Sequence, residues 1–459
     1  MKNNLKAFVF FLLLSNTAFA NVTLPNVISD NMVLQRNSDV KIWGWANPQE
    51  EVVIAPSWNN QTYKIKASNQ AKWEITIPTP KEGGPYTISI KGYNEIVLKN
   101  ILIGEVWVCS GQSNMEMNAS WGIENGDEAV KAATNPSIHF FVVPKLTATT
   151  PQNNLSGNWT ECTPETMKYF SATGYFFAKR LQEELKNVPI GLISSNWGGT
   201  PAEIWTPEEV IENNEVLLES AKTRREESYG PNQPGRAFNA MIYPLTNFKI
   251  AGVIWYQGES NVGSPVYDKT FSALITSWRK LWNTDFPFYY VQIAPYKYGE
   301  NHFGGAVIRD AQRKVLQEVP NTGMAITSDI SPIDDIHPKD KKSVGTRLAN
   351  LALFNTYKTN TNLVNGPLYK AIQIDKNKVI VSFDFAEGLH FTHTKTNQFE
   401  LAGIDGVFYE AIAVIKNNTV ILQSDKVKNP VKVRFAWKNT DQSQLFNKAN
   451  LPASSFLSE

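Results

Sequence analysis

GEVWVCSGQSNMEM, Gly104–Met117, is an apolar run that breaks off abruptly. Val106 to Cys109 has the make-up of a strand, whereas Ser110-Gly111-Gln112-Ser113-Asn114 is a cluster of small and polar residues that reads as a turn. The Met- and Glu-rich run after it reads as the start of a helix. Two readings of Ser113 are open. Serine is a good helix N-cap, because its hydroxyl accepts an otherwise unpaired N–H. A serine beyond a strand end is also placed where parallel sheets present their chemistry.

The same grammar recurs downstream. ILIGEVWVC, VPIGLISS, IAGVIWYQ, FPFYYVQIAP and TGMAITSD are strand-like, and helical patterns lie between them. These are MKYFSATGYFFAKRLQEEL, KTFSALITSWRKLW and KSVGTRLANLALFNTY, where Val344, Leu348 and Leu351 repeat at helical spacing. Strand–helix alternation over 100–362 predicts an α/β domain with a parallel sheet covered on both faces. Residues 21–99 read instead as short alternating strands, such as DVKIWGWA and KWEITIP, which predict a small β-sandwich. Residues 363–459 return to β, either as a second sandwich or as the other half of the first.

A chain of 459 residues calls for two or three domains, and 42% apolar with 19% charged residues describes a globular protein. Residues 1–20 carry Lys2 and Lys6, an apolar core and Ala18-Phe19-Ala20, the plan of a cleaved export signal. With both lysines removed, 42 basic residues face 43 acidic ones, so no basic face points to nucleic acid. No segment is a membrane span once the signal is cleaved, and a periplasmic or secreted location is expected. Cys109 and Cys162 either pair or are two buried thiols. No CxxC or His/Cys spacing fits a metal site, so no cofactor is expected.

In an open parallel sheet the site lies beyond the carboxyl ends of the strands. Four strand ends run into Ser110 to Asn114, Asn196 to Thr200, Gln257 to Asn261, and Ile330 to Pro338. Serine needs an adjacent base, and His337 is the histidine at a strand end within the α/β region. Asp334, three residues earlier, is spaced to accept the Nδ1 proton of that imidazole; Asp335 is a rival with a less suitable spacing. The ordinary alternatives are a loop histidine and a carboxylate capping a turn. A tetrahedral intermediate needs preorganised donors. Candidates are the N–H of Ser113, a backbone N–H of Gly198 or Gly199, and the Gln257 amide, although paired glycines also make plain turns. Asn114, Trp197, Glu259 and Asn261 are candidate substrate contacts. Trp121, Trp197, Trp205 and Trp255 also fall near this crevice, most of them as core. Gly-x-Ser-x-Gly fails at Met115, which excludes the ordinary nucleophile elbow. Glu105, Glu116 and Glu259 form no recognisable glycosidase pair.

GEVWVCSGQSNMEM, GGTPAEIW, VIWYQGESN and DDIHP together resemble the sialate O-acetylesterase family of the SGNH (GDSL-like) hydrolases. SDNMVLQRNSDVKIWGWA near the start and FELAGIDGVFYEA near the end extend the likeness. The resemblance implies a flavodoxin-like α/β/α catalytic domain with accessory β-sandwich or jelly-roll regions at both ends. It implies Ser113 as nucleophile, His337 as base and Asp334 as its partner, with Ser113, Gly198 or Gly199, and Gln257 forming the oxyanion hole. Other SGNH enzymes carry an asparagine after the third strand, where this chain has Gln257, with Asn261 four residues on. The expected activity is removal of O-acetyl groups from sialic acids. Acetylated plant polysaccharide such as xylan is the alternative substrate, and an inactive carbohydrate-binding protein is the alternative class.

Overall fold

The computed structural model describes residues 21–224, 227–299, 303–359, 362–393 and 396–458. The export signal read in residues 1–20, and His302, lie outside the described residues. The strand of the opening motif is longer than its apolar run. β1 spans Glu95–Gly111, and its burial changes character at Ile101. Before that point outer and inner residues alternate, and from Ile101 to Gly111 every residue is buried. An alternating strand has one wet face, whereas a continuously buried one is covered on both. The first half of β1 pairs antiparallel with Gly83–Lys91 of the N-terminal β region. The second half is the centre of a parallel sheet. Residues 99 and 100, where the composition changes, thus lie inside one strand.

The further strands of the sheet are β2 (Asn135–Val142), β3 (Trp159–Cys162), β4 (Ile190–Asn196), β5 (Gly252–Tyr256), β6 (Phe288–Val291) and β7 (Thr322–Ala325). Among the described residues they run β7-β6-β5-β1-β4-β2-β3, and only the β2–β3 pair is antiparallel. The five strands expected from sequence, β1 and β4 to β7, are all present, and counted alone they take the order 2-1-3-4-5. β2 and β3 were not expected. The buried part of β2 is only Ile138 to Phe141, behind Asn-Pro-Ser, too short an apolar run to stand out.

Helix α1 is Ser113–Glu116, α2 Ala172–Leu185, α3 Tyr267–Trp282, α4 Gly304–Glu318 and α5 Lys341–Asn355. Trp107 and Cys109 of β1 pack with α2 and α5 residues such as Phe177 and Leu348. Val106 and Val108 point the other way, towards α3 and α4 residues such as Phe271 and Ile308. The pattern from Met167 to Leu185 is not one helix. It restarts at Ala172, where Ser171 Oγ accepts the Gly174 N–H and caps the new start. α4 was missed because Arg309, Asp310, Gln312 and Arg313 are buried on its inner side and hide the apolar period.

The two outer β regions are separate. The N-terminal one shares a continuous apolar core with the α3/α4 face, and Arg36 pairs with buried Glu105 of β1 at 2.6 Å. The C-terminal one has its own core around Phe399, Phe435 and Phe456. It meets the sheet domain through buried Arg309, which donates to Ser455 Oγ and the Ala436, Lys438 and Asn439 carbonyls. Cys109 and Cys162 are free and buried, not paired, and burial pushes both thiols well above their usual range.

Candidate active site

β4, β1 and β5 end level, with Gly111 in register between Asn196 and Tyr256. The turns that follow therefore leave the sheet at one height. Gly111 has φ +132, and a Cβ there would run into the Tyr256 carbonyl, so the exit of β1 requires glycine. Gln112 follows as the helix N-cap in extended conformation, and its Oε1 accepts the N–H groups of Gly258 and Ser260 at 3.3 and 3.2 Å. The cap reading of Ser113 is therefore wrong by one residue. Gln112 holds the cap position, and the Ser113 hydroxyl is left for another partner.

That partner is His337, whose Nε2 lies 2.8 Å from Ser113 Oγ. With the imidazole proton on Nδ1, Nε2 accepts the serine O–H. Burial lowers the His337 pKa from its usual value; Lys341 pushes the same way and Asp335 opposes both. The neutral, proton-accepting imidazole consequently persists to lower pH. The edge of Trp121, 44% exposed, meets the imidazole at 6.2 Å between ring centres.

Asp334 is not brought to the histidine. It is exposed and borders a neighbouring cleft with Lys339 and Asp340. Asp335 closes a local turn instead, its Oδ1 accepting the His337 backbone N–H at 2.8 Å. A carboxylate serving the backbone of the same loop leaves its neighbour directed to solvent.

The pair opens onto a cleft of about 930 Å³. Gly198 and Gly199 line it, and a Cβ on Gly198 would stand 3.2 Å from the Ser113 Cβ. The Gly198 N–H is already taken by Glu116 Oε2 at 2.8 Å, and Glu116 is held in turn by Lys145. Ser113 and Gly199 have backbone N–H groups with no acceptor among the described residues. Gly199 has φ +74 beside Tyr229, again a glycine position. Gln257 is not available as a donor. It is fully buried, its Nε2 donates to Asn261 Oδ1 and the Thr200 carbonyl, and its Oε1 accepts from Tyr267. Asn261 is equally committed, accepting from the Ala202 N–H and donating to Glu203. These two amides zip the 257–261 turn to the 200–203 segment, and neither lines the cleft. Trp197 donates its indole N–H to the Tyr229 carbonyl and so holds the cleft wall. Glu259 does line the cleft, while Asn114 is fully buried beneath it.

The family described as carbohydrate esterase, sialic acid-specific acetylesterase, matches residues 103–353, which hold every residue of this site. The chain belongs to that family. A carbohydrate acetylesterase of Xanthomonas citri is 34% identical, with a TM-score of 0.86 over 95% of this chain and 99% of its own. Sialate O-acetylesterases of Homo sapiens and Mus musculus are 29% and 28% identical, over 82% and 92% of this chain and 79% and 91% of theirs. As a carboxylic ester hydrolase, a member of this family needs a nucleophile, a base and an anion-stabilising pocket, and the cleft offers groups suited to each.

Sequence reading had missed Lys341, fully buried at the start of α5, and the Glu116–Lys145 pair. A lysine on a helix and a lone acid–base pair ordinarily mark a wetted surface, so no sequence signal set them apart. Trp205 and Trp255 are core residues, as expected of most tryptophans. Among the described residues no group of three His, Cys, Asp or Glu is arranged to hold a metal ion, and no helix is long and apolar enough to cross a membrane.

Proposed function

We propose that this esterase removes O-acetyl groups from sugars, sialic acids first, through an acetyl-enzyme on Ser113. The observation that carries the reading is the 2.8 Å contact between Ser113 Oγ and His337 Nε2 at the mouth of the cleft. Ser113 Oγ attacks the acetyl carbonyl as its proton passes to His337. The oxyanion is met by the Ser113 and Gly199 N–H groups at the start of α1 and the adjoining turn. The tetrahedral intermediate collapses, His337 returns the proton to the departing sugar oxygen, and acetyl remains on Ser113. Water, deprotonated by His337, then releases acetate and restores the serine.

The fold is proposed to be the flavodoxin-like SGNH type, supported by the 2-1-3-4-5 order of the five expected strands and the site above the switch from β1 to its two neighbours. Export is proposed from the signal-like residues 1–20.

A polysaccharide substrate is the second reading. It is favoured by the open cleft, rimmed by Trp121 and by Tyr229, which is 62% exposed and suited to stack on sugar rings. Acetate release from O-acetylated sialic acid and from acetylxylan by the purified enzyme decides between them. Activity on acetylxylan alone would reject sialic acid as the substrate.

A further inference from the structure

Beneath Ser113 and His337 lies a buried polar cluster that the reaction above does not use. Asn114 follows Ser113 in the chain, and Ile336 precedes His337. The Asn114 amide joins the two segments, its Nδ2 donating to the Ile336 carbonyl at 2.9 Å and to Glu259 Oε1 at 2.6 Å. Its Oδ1 accepts from Lys341 Nζ at 2.6 Å. Asn114 and Lys341 are fully buried, and Glu259 is 8% exposed. The ammonium also lies 5.1 Å from the centre of the Tyr256 ring.

An amide has a donor end and an acceptor end of nearly equal shape, so its neighbours decide which way round it lies. Glu259 and the Ile336 carbonyl call for the donor end, and Lys341 calls for the acceptor end. Turned over, the amide would set oxygen against a carboxylate and NH2 against an ammonium. The lysine is in an adverse place for a charge. Burial drives its pKa down to about 7, and it opens α5, where the helix dipole disfavours cations. Glu259, reached through Asn114, opposes this most, with Asp335 and Asp340 behind it, and the Asn114 oxygen is the group the Lys341 ammonium bonds directly.

We propose that Lys341 is a positioning residue for the esterase: by holding Asn114 in one orientation, it fixes the Ile336–His337 segment against the Ser113 turn. The proposal rests on Ser113 and His337 being nucleophile and base. A displacement of about 1 Å between reacting groups costs up to about 100-fold in rate, which is the effect this clamp prevents.

Lys341→Met removes donor and charge, and Lys341→Gln keeps an N–H donor without the charge. On 4-nitrophenyl acetate, Lys341→Met is expected to lower kcat by about tenfold or more with KM little changed, and Lys341→Gln to restore much of that loss. The groups that face the imidazole are Ser113 from α1, Trp121 from the turn after it, Asp335 from its own loop, and Lys341. Lys341 holds the His337 pKa down, so both variants should move the acid limb of kcat/KM to higher pH. Lys341→Met leaves the Glu259 charge stranded, so the Glu259→Gln/Lys341→Met pair is measured against Glu259→Gln alone. A folded Lys341→Met enzyme with wild-type kcat overturns the proposal. So does a double variant as fast as Glu259→Gln. An active Ser113→Ala enzyme would overturn the nucleophile assignment instead.

Discussion

The two halves of the site are held by different physics. Ser113 follows a strand buried on both faces, through a turn that only glycine can make at position 111. Its placement comes from apolar packing and backbone geometry at the end of β1, with Gln112 tied to the adjoining 258–260 turn. His337 comes from the irregular segment after β7, which is held by polar contacts from distant parts of the chain. Arg347 of α5 grips Asp329 through two nitrogens, at 2.7 and 2.6 Å, and donates to the Ile326 carbonyl. Gln442 of the C-terminal β region donates to the Ser331 carbonyl at 2.7 Å, and Asn114 reaches the Ile336 carbonyl. The first half is built around neighbouring strand ends of one sheet, and the second is assembled from several regions. The Gln442 and Asn114 braces are single hydrogen bonds of about 1 kcal/mol net each and the two-pronged Arg347–Asp329 pair is stronger, so together they decide its position.

The largest effect should come from the pair itself. Ser113→Ala and His337→Ala should each cut acetate release by about 10⁴-fold or more, and the double variant should lose little beyond either, because the two act as a unit. Additive losses would mean that they act separately. Melting temperature should barely change, since neither side chain fills the core.

Next comes the local half. Gly111→Ala puts a Cβ against the Tyr256 carbonyl at a φ that side chains rarely adopt, and should cost at least about 2 kcal/mol of stability. Denaturant unfolding measures it, and an unchanged midpoint would show that the turn relaxes freely.

On the histidine half, Asp335→Asn should act through charge alone, because Asn Oδ1 can still accept the His337 N–H. Asp335 raises the His337 pKa, so its loss lowers that pKa and moves the acid limb of kcat/KM to lower pH. Asp334→Asn should leave the profile in place. The opposite ranking would return the orienting role to Asp334.

The smallest effect belongs to the remotest brace. Gln442→Ala removes one hydrogen bond to the Ser331 carbonyl and should cost about 1 kcal/mol, with a modest fall in kcat. A fall as large as that of His337→Ala would mean that the C-terminal region does far more than brace this loop.

The sequence by itself determined the parallel sheet and the strand ends that bear the site. Each of the five expected strands is a short, dense apolar run, and four strand ends run into clusters of small or polar residues; both signals are local. It also placed Ser113 and His337 together through strand-end position. The structure alone decided what each polar side chain does. Gln257 and Asn261 looked like donors to substrate but are spent on each other and on the 200–203 segment. Asp334 had the suitable spacing, yet Asp335 took the turn. Lys341, which no sequence signal set apart, is fully buried against Asn114. Apolar periodicity records which face is buried, so it survives in the sequence. A hydrogen bond is satisfied by whichever partner the fold brings within 3 Å, and that choice is made only when distant segments meet.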